Sequence, residues 1–231
     1  MFSLSPMELE AIQLSLKVSF WAVGISLPFG IAVAWLLARR DFPGKSLFDA
    51  LVHVPLVVPP VVIGYLLLIL LGRTGPLGGW LYDVFGVTVA FSWQGAAVAA
   101  AVMAFPLMVR AIRLSIEAID TRLEQAARTL GAGPIDVFLS ITLPLTGSGI
   151  VVGVILAFAR ALGEFGATIT FVSAIPGQTT TLPVALYGLA QVPGQENGAI
   201  RLVVLSVVIA FAAMFVSEII ARRVRRRISG A

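Results

Sequence analysis

Five long apolar runs divide this chain of 231 residues, and they constrain its fold more than any other feature. They cover about residues 12–38, 48–72, 91–112, 147–173 and 200–221. A helix of about 20 apolar residues crosses the roughly 30 Å hydrocarbon layer of a bilayer. Helices satisfy their own backbone polar groups in lipid, whereas a barrel would show short alternating strands. The sequence therefore predicts an all-α membrane protein with about five transmembrane helices and a single domain over residues 1–231.

The basic residues are distributed unevenly between the two sides of the predicted spans. Twelve of the sixteen lie in Arg39–Lys45, Arg110–Arg128 and Arg222–Arg227, and each of these segments follows an odd-numbered run. The positive-inside rule then places the N-terminus outside and the C-terminus in the cytoplasm. We interpret the net charge of +4 as a signal for orientation and for contact with the anionic headgroups of the lipid bilayer. No nucleic-acid partner is expected.

Residues 113–146, between the third and fourth runs, predict a helical hairpin on the cytoplasmic side. Apolar residues recur there at steps of three and four, which indicates a helix with one apolar face. Gly131 is suited to stop this helix, and Gly133-Pro134 favours a turn. A second short helix over Ile135–Ser140 then leads back to the fourth span. The hairpin is either a docking element for another protein or an amphipathic element on the lipid surface.

The hairpin resembles the signature loop of importer-type ABC permeases. That pattern reads Glu-Ala-Ala, three residues, Gly, nine residues and Ile-x-Leu-Pro. The residues in register with it are Ala126, Ala127, Gly131, Ile141, Leu143 and Pro144. The position of the pattern's Glu holds Gln125, and the nearest carboxylate is one place earlier, at Glu124.

This resemblance implies the fold of a type I ABC importer permease and a docking role for the loop at 117–144. The docking residues it implies are Glu124, Gln125, Ala126, Ala127, Arg128, Gly131, Ala132, Ile141, Leu143 and Pro144. The chain has no Gly-x-x-x-x-Gly-Lys-Ser/Thr loop, so we expect no enzyme activity and no cofactor in it. ATP and Mg²⁺ would bind a dimeric ATPase partner. A second copy of the permease and an external binding protein complete the implied assembly in a bacterial inner (plasma) membrane.

Several polar or helix-breaking residues within the spans are candidates for the translocation path or its gate. Arg160 and Glu164 lie four residues apart on one helix face, where they form either a structural ion pair or part of the path. Thr168 and Thr170 could offer hydroxyl groups to a passing anion. The adjacent Pro59 and Pro60 must bend or break the second span. The long segment 176–195 either re-enters the membrane or forms an outer helix.

Residues 158–171 are similar to the corresponding segment of the molybdate permeases, and so are 53–65, 175–179 and 187–194. This similarity implies molybdate as cargo and a periplasmic or extracellular molybdate-binding protein as partner. The core Leu162–Ala167 is shared with sulfate and thiosulfate permeases, so sulfate, thiosulfate and tungstate remain alternatives. An ATP-independent secondary transporter or a channel is the alternative outside the ABC class.

Overall fold

The computed structural model describes residues 5–228, except for the side chains of 217, 218, 220, 221 and 223–228. The predicted basic anchor at Arg222–Arg227 therefore lies almost wholly outside the described side chains. Every regular element within residues 5–228 is helical, as the sequence predicts. In chain order the helices are α1 (Pro6–Arg39), α2 (Lys45–Val57), α3 (Pro60–Leu71), α4 (Pro76–Phe85), α5 (Trp93–Glu117), α6 (Thr121–Thr129), α7 (Pro134–Val137), a π-helical turn (Phe138–Thr142), α8 (Leu143–Leu145), α9 (Gly147–Leu162), α10 (Gly166–Val172), α11 (Leu182–Ala190) and α12 (Glu196–Ile228).

In the part of the chain that the structure describes, three helices are long and apolar enough to cross a membrane, namely α1, α5 and α12 over Glu196–Val216. Two bent pairs bring the total within the described residues to five spans if each pair counts as one. Helices α2 and α3 meet at 114°, and Pro134–Leu145 meets α9 at 67°. The first bend lies at Pro59-Pro60, because proline removes a backbone donor and clashes with the preceding turn.

The core forms where α5 packs between α1 and α9. Small side chains permit this close approach, since lipid does not drive apolar helices together and their backbones must fit closely. On α9 the small residues recur every four positions and are all buried: Gly149, Gly153, Ala157 and Ala161. A Cβ added at Gly153 would lie 3.1 Å from the Ile112 side chain of α5. This ridge therefore serves helix packing in this structure.

At the N-terminal end of α1, buried polar contacts hold α11 and α12 in place. Glu8 is almost fully buried and accepts a 3.0 Å hydrogen bond from Arg201 Nε of α12. Ser15 accepts a 2.7 Å hydrogen bond from the backbone amide of Leu182, which begins α11. Because α11 is a nine-residue helix packed against α1 and α12, the long segment after α10 contains a short docked helix.

Candidate docking site

Helix α6 and the elements up to α8 form one hairpin, called the α6–α8 hairpin below. The Asp120 side chain begins α6 by accepting a 2.9 Å hydrogen bond from the Arg122 amide. The helix ends in a Schellman motif at Gly131, whose φ of +92° favours glycine. The Ala132 amide donates to the Ala127 carbonyl at 3.1 Å, and the Gly131 amide to that of Arg128 at 3.0 Å. The predicted helix stop at Gly131 is confirmed.

The returning arm of the hairpin starts at Pro134 and runs into α9 without a loop. The Gly133 amide donates to the Asp136 carboxylate at 3.2 Å, which fixes the start of α7. The backbone then passes through a π-helical turn at Phe138–Thr142. Such turns are rare and frequently occur at functional sites. The predicted second helix is therefore the first part of a longer, bent helical segment that continues into the fourth span.

Glu124 lies at the centre of the polar contacts that hold the hairpin together. Its side chain is only 9% exposed, and its Oε1 accepts a hydrogen bond from Arg39 Nε at 3.0 Å. The same oxygen accepts a second bond from the Thr142 hydroxyl at 2.9 Å. Arg39 also donates from Nη2 to the Ile119 carbonyl at 3.3 Å. One carboxylate thus joins the end of α1 to both arms of the hairpin.

Four large apolar side chains of the hairpin are at least half exposed in the structure. Leu130 is 89% exposed and Ile135 is 72% exposed, and Leu123 and Leu139 are about half exposed. Exposed apolar residues on an otherwise polar element mark a site for a partner. We call Leu123, Leu130, Ile135 and Leu139 the apolar patch.

The structure distributes the other predicted docking residues between the surface and the interior. Those exposed on the surface are Gln125, Ala126, Arg128, Gly131 and Pro144. Those half-buried beneath it are Ala127, Ala132, Ile141 and Leu143. Glu124 alone among them is buried. The signature-loop pattern does not include Ile135 or Leu139, although their spacing of four residues indicates that they share one face of the returning arm.

Glu164 bridges the break between α9 and α10. Its Oε2 lies 2.6 Å from Arg160 Nη1, and its Oε1 accepts a 2.8 Å hydrogen bond from the Ala167 amide. The Glu164 side chain is 2% exposed, whereas that of Arg160 is 27% exposed. The carboxylate is enclosed, and each of its oxygens contacts one of these two groups.

The breaks of the two bent spans contact each other. A Cβ added at Gly166 would lie 2.8 Å from Pro60, and one added at Gly64 would lie 2.5 Å from the Ala167 carbonyl oxygen. Thr168 is buried, and the half-buried Thr170 donates its hydroxyl hydrogen to the Gly166 carbonyl at 2.8 Å. The predicted path residues Pro60, Glu164, Thr168 and Thr170 thus gather around this crossing. Among the side chains that the structure describes, no group of three or more His, Asp or Glu residues could hold a metal ion.

Comparison with known proteins extends these observations over nearly the whole chain. Residues 26–227 match the family described as binding-protein-dependent transport system inner membrane component. The molybdenum transport system permease protein ModB of Escherichia coli K12 is 63% identical over 220 residues, which cover 95% of this chain and 96% of that protein. The protein of the same name from Haemophilus influenzae is 53% identical over 96% of this chain and 97% of its own length. The sulfate transport system permease protein CysW of Escherichia coli K12 is 35% identical over 89% of this chain and 72% of its length.

Solved structures show the same fold at low sequence identity. A bacterial ABC transporter that imports alginate has a TM-score of 0.76 at 18% identity, covering 95% of this chain and 80% of its own. The inward-facing MetNI methionine ABC transporter has a TM-score of 0.69 at 19% identity, covering 94% of each chain. The fold is that of a type I ABC importer permease. In this family the ATPase activity resides on a separate subunit and not on the permease. The chain therefore belongs to the family of inner membrane components of binding-protein-dependent transport systems.

Proposed function

We propose that this chain is the membrane-spanning subunit of an ATP-driven molybdate importer. The observation that carries the proposal is its 63% identity, over 95% of its length, to a protein named for molybdenum transport. In the working assembly two copies of the chain bind two ATPase subunits, which hold ATP and Mg²⁺. A molybdate-binding protein delivers the anion from the periplasm or the cell exterior. The N-terminus lies outside and the C-terminus in the cytoplasm, in accord with the distribution of basic residues.

The α6–α8 hairpin is the element that docks on the ATPase. Its apolar patch supplies the large side chains that interface cores require, and the exposed Gln125 and Arg128 supply a polar rim. Small residues at Ala126, Ala127 and Gly131 let the partner surface approach the backbone. Glu124 supports docking indirectly, because its buried carboxylate holds the two arms of the hairpin in one geometry.

Movement of the docked hairpin reaches the membrane spans by two routes. The returning arm continues through the π-helical turn and α8 into α9, so a rotation of the hairpin turns the fourth span. The contact of Glu124 with Arg39 connects the hairpin to α1. Packed helices transmit such displacements because close-packed interfaces shift between discrete arrangements.

The cargo passes between two copies of the chain. Helix α2 has no buried residue, and Val57 at its end is 85% exposed. One copy thus provides only one wall of a path, and the crossing of the two broken spans lies in that wall. Hydroxyl and backbone groups near the crossing suffice for a passing anion, since tight binding would hinder its release. Selectivity therefore resides mainly in the external binding protein.

Proteoliposomes that contain this chain, the ATPase and the binding protein test the proposal. We expect molybdate uptake that requires both ATP and the binding protein. Equimolar sulfate should compete weakly, and tungstate, which resembles molybdate in charge and shape, should compete well. Preferential uptake of sulfate would reassign the cargo. Uptake without ATP would indicate a secondary transporter, and ion currents without ATP would indicate a channel.

Orientation can be measured in the same protein because the chain contains no cysteine. A single cysteine at the exposed Gln125 should react with a membrane-impermeant maleimide only after the cells are permeabilised. A cysteine at Val87, which is 48% exposed in the segment between α4 and α5, should react in intact cells. The reverse pattern of labelling would contradict both the orientation and the docking role of the hairpin.

A further inference from the structure

A trough runs along one side of α5, between α2 and α9. It consists of two adjacent cavities of about 510 and 470 Å³, and Arg110 and Leu114 line both of them. The first cavity lies towards α2 and is lined also by Asp49 and His53. The second lies towards α9 and is lined also by Ser148. Arg110 therefore stands at the boundary between the two halves.

The charges in the half beside α2 compensate one another. Arg113 Nη1 lies 2.8 Å from Asp49 Oδ2, and Arg113 Nε lies 2.7 Å from Glu117 Oε1. His53 Nδ1 lies 3.1 Å from Asp49 Oδ1. Because two carboxylates surround a single paired guanidinium, this half is unfavourable for an anion.

Arg110 differs from Arg113 because its guanidinium forms no ion pair with a described carboxylate. No residue whose side chain the structure describes forms an ion pair or a hydrogen bond with Arg110, and the side chain is exposed. It lies seven residues before the end of α5 at Glu117, about 10 Å along the helix axis. Arg110 thus lies near the cytoplasmic end of the third span, and charged residues in such helices usually face a water-filled cavity or a substrate pathway.

The half of the trough beside α9 is suited to an anion because it combines this cation with hydroxyl groups, and none of the described side chains that line it is a carboxylate. Ser115 and Ser148 provide the hydroxyl groups. The remaining lining is small or apolar: Leu107, Ala111, Leu114, Gly149, Val152 and Leu156. A volume of about 470 Å³ accommodates a tetrahedral oxyanion with several of its waters, since one water occupies about 30 Å³ in the liquid.

We propose that Arg110, Ser115 and Ser148 form a weak binding site for a tetrahedral oxyanion near the cytoplasmic end of the path. The proposal rests on the proposed import function and specifies where the cargo pauses before release. Guanidinium and hydroxyl donors match the acceptor oxygens of such an anion. The guanidinium, which no described side chain pairs, supplies attraction, while the small number of donors and the open trough keep the anion exchangeable.

The phosphate of a lipid headgroup has the same chemistry, so the test must separate the two sources. Val152 lines the same half of the trough and is 38% exposed, and the chain has no natural cysteine. A Val152→Cys variant of the complete transporter is placed in vesicles of phosphatidylcholine, with or without phosphatidylglycerol. Its reaction rate with a water-soluble methanethiosulfonate is measured with increasing molybdate and, separately, with increasing sulfate.

We expect molybdate to slow the reaction in both kinds of vesicle, and Arg110→Gln in the same background to abolish this protection. Protection that depends on phosphatidylglycerol and not on molybdate would assign the site to lipid and overturn the proposal. Protection by sulfate but not by molybdate would leave the oxyanion site standing while contradicting the proposed cargo. The two failures are therefore distinguishable.

Transport supplies the second measurement. Arg110→Gln should lower ATP-driven molybdate uptake about tenfold or more, in line with the loss of one charge-assisted contact, and Arg110→Lys should restore part of it. Lys45→Gln is the matched control, since it removes one positive charge from the same side of the membrane and its partner Asp41 is fully exposed. Equal uptake by Arg110→Gln and Lys45→Gln, in assembled transporters of equal ATPase activity, would overturn the proposal.

Discussion

The Glu124 carboxylate and the Arg39 guanidinium, 85 residues apart in the chain, meet at 3.0 Å where the α6–α8 hairpin contacts the end of α1. Both side chains are about nine-tenths buried. The same carboxylate oxygen also accepts the Thr142 hydroxyl from the returning arm. A single acidic residue therefore sets the relative position of three elements, and its removal should affect all of them.

Glu124→Ala should destabilise the protein by about 2–3 kcal/mol, because it leaves the Arg39 guanidinium buried without its charged partner. Glu124→Gln should cost less, since its amide oxygen can still accept one hydrogen bond. Denaturation in mixed micelles measures the loss. We also expect ATP hydrolysis to continue in the assembled complex while uptake per ATP falls, because the hairpin no longer moves as one body with α1.

A double-mutant cycle separates the pair from general damage. Arg39→Gln combined with Glu124→Gln should cost clearly less than the sum of the two single changes. The control is the exposed pair Asp41 and Lys45, for which Asp41→Asn should change stability by less than about 0.5 kcal/mol. Additive costs for Arg39 and Glu124 would contradict the structural role of their contact.

Gly131 offers a second test, because substitutions there distinguish the effect of its backbone conformation from the effect of the space around it. Its φ is +92°, yet an added Cβ would meet no described atom within 4 Å. Gly131→Ala should therefore cost about 1 kcal/mol of backbone strain, and Gly131→Asn less, since asparagine tolerates positive φ. Gly131→Trp should be no less stable than Gly131→Ala in the isolated subunit.

The same three variants behave differently once the ATPase is present. A bulky side chain at Gly131 would project towards the docked partner, so Gly131→Trp should weaken complex formation far more than Gly131→Ala. Co-purification of the ATPase with each variant gives the comparison. Equal recovery of the ATPase with all three would show that the turn does not face the partner.

Leu130 should contribute to docking and little to folding, because its side chain is 89% exposed. Leu130→Gln should leave thermal stability within about 0.5 kcal/mol of the unmodified protein. It should nevertheless weaken ATPase binding by about 1–3 kcal/mol, as expected for an apolar anchor in an interface core. Titration of the ATPase measures the affinity. Val87→Gln, an exposed apolar position between α4 and α5, is the control and should leave the affinity unchanged.

The local features of the fold could be predicted because they depend on neighbouring residues. The break at Pro59-Pro60 follows from missing backbone donors, and the end of α6 follows from the need for positive φ at Gly131. These inferences need no knowledge of distant contacts.

Features that depend on distant residues could not be predicted in the same way. Helical periodicity shows that Glu124 and Leu130 lie on different faces of α6, but it does not show what covers each face. The burial of Glu124 depends on Arg39 and Thr142, and Leu130 is exposed because no described residue covers it. The family pattern identified the docking loop, while the division of its residues between support and contact required the structure.

The crossing of the two broken spans provides the last prediction. A Cβ added at Gly64 would lie 2.5 Å from the Ala167 carbonyl oxygen and 2.9 Å from the Thr170 Cβ, so Gly64→Ala must push α3 away from α10. We expect a loss of about 1–3 kcal/mol of stability and a marked fall in uptake, because both spans form the proposed path wall. Gly24→Ala is the matched control: Gly24 also lies within a membrane helix, but an added Cβ there meets none of the atoms that the structure describes within 4 Å. Alanine at Gly24 should be neutral or slightly stabilising. Equal stability and equal uptake of the two variants would contradict the idea that close packing at this crossing holds the two breaks together.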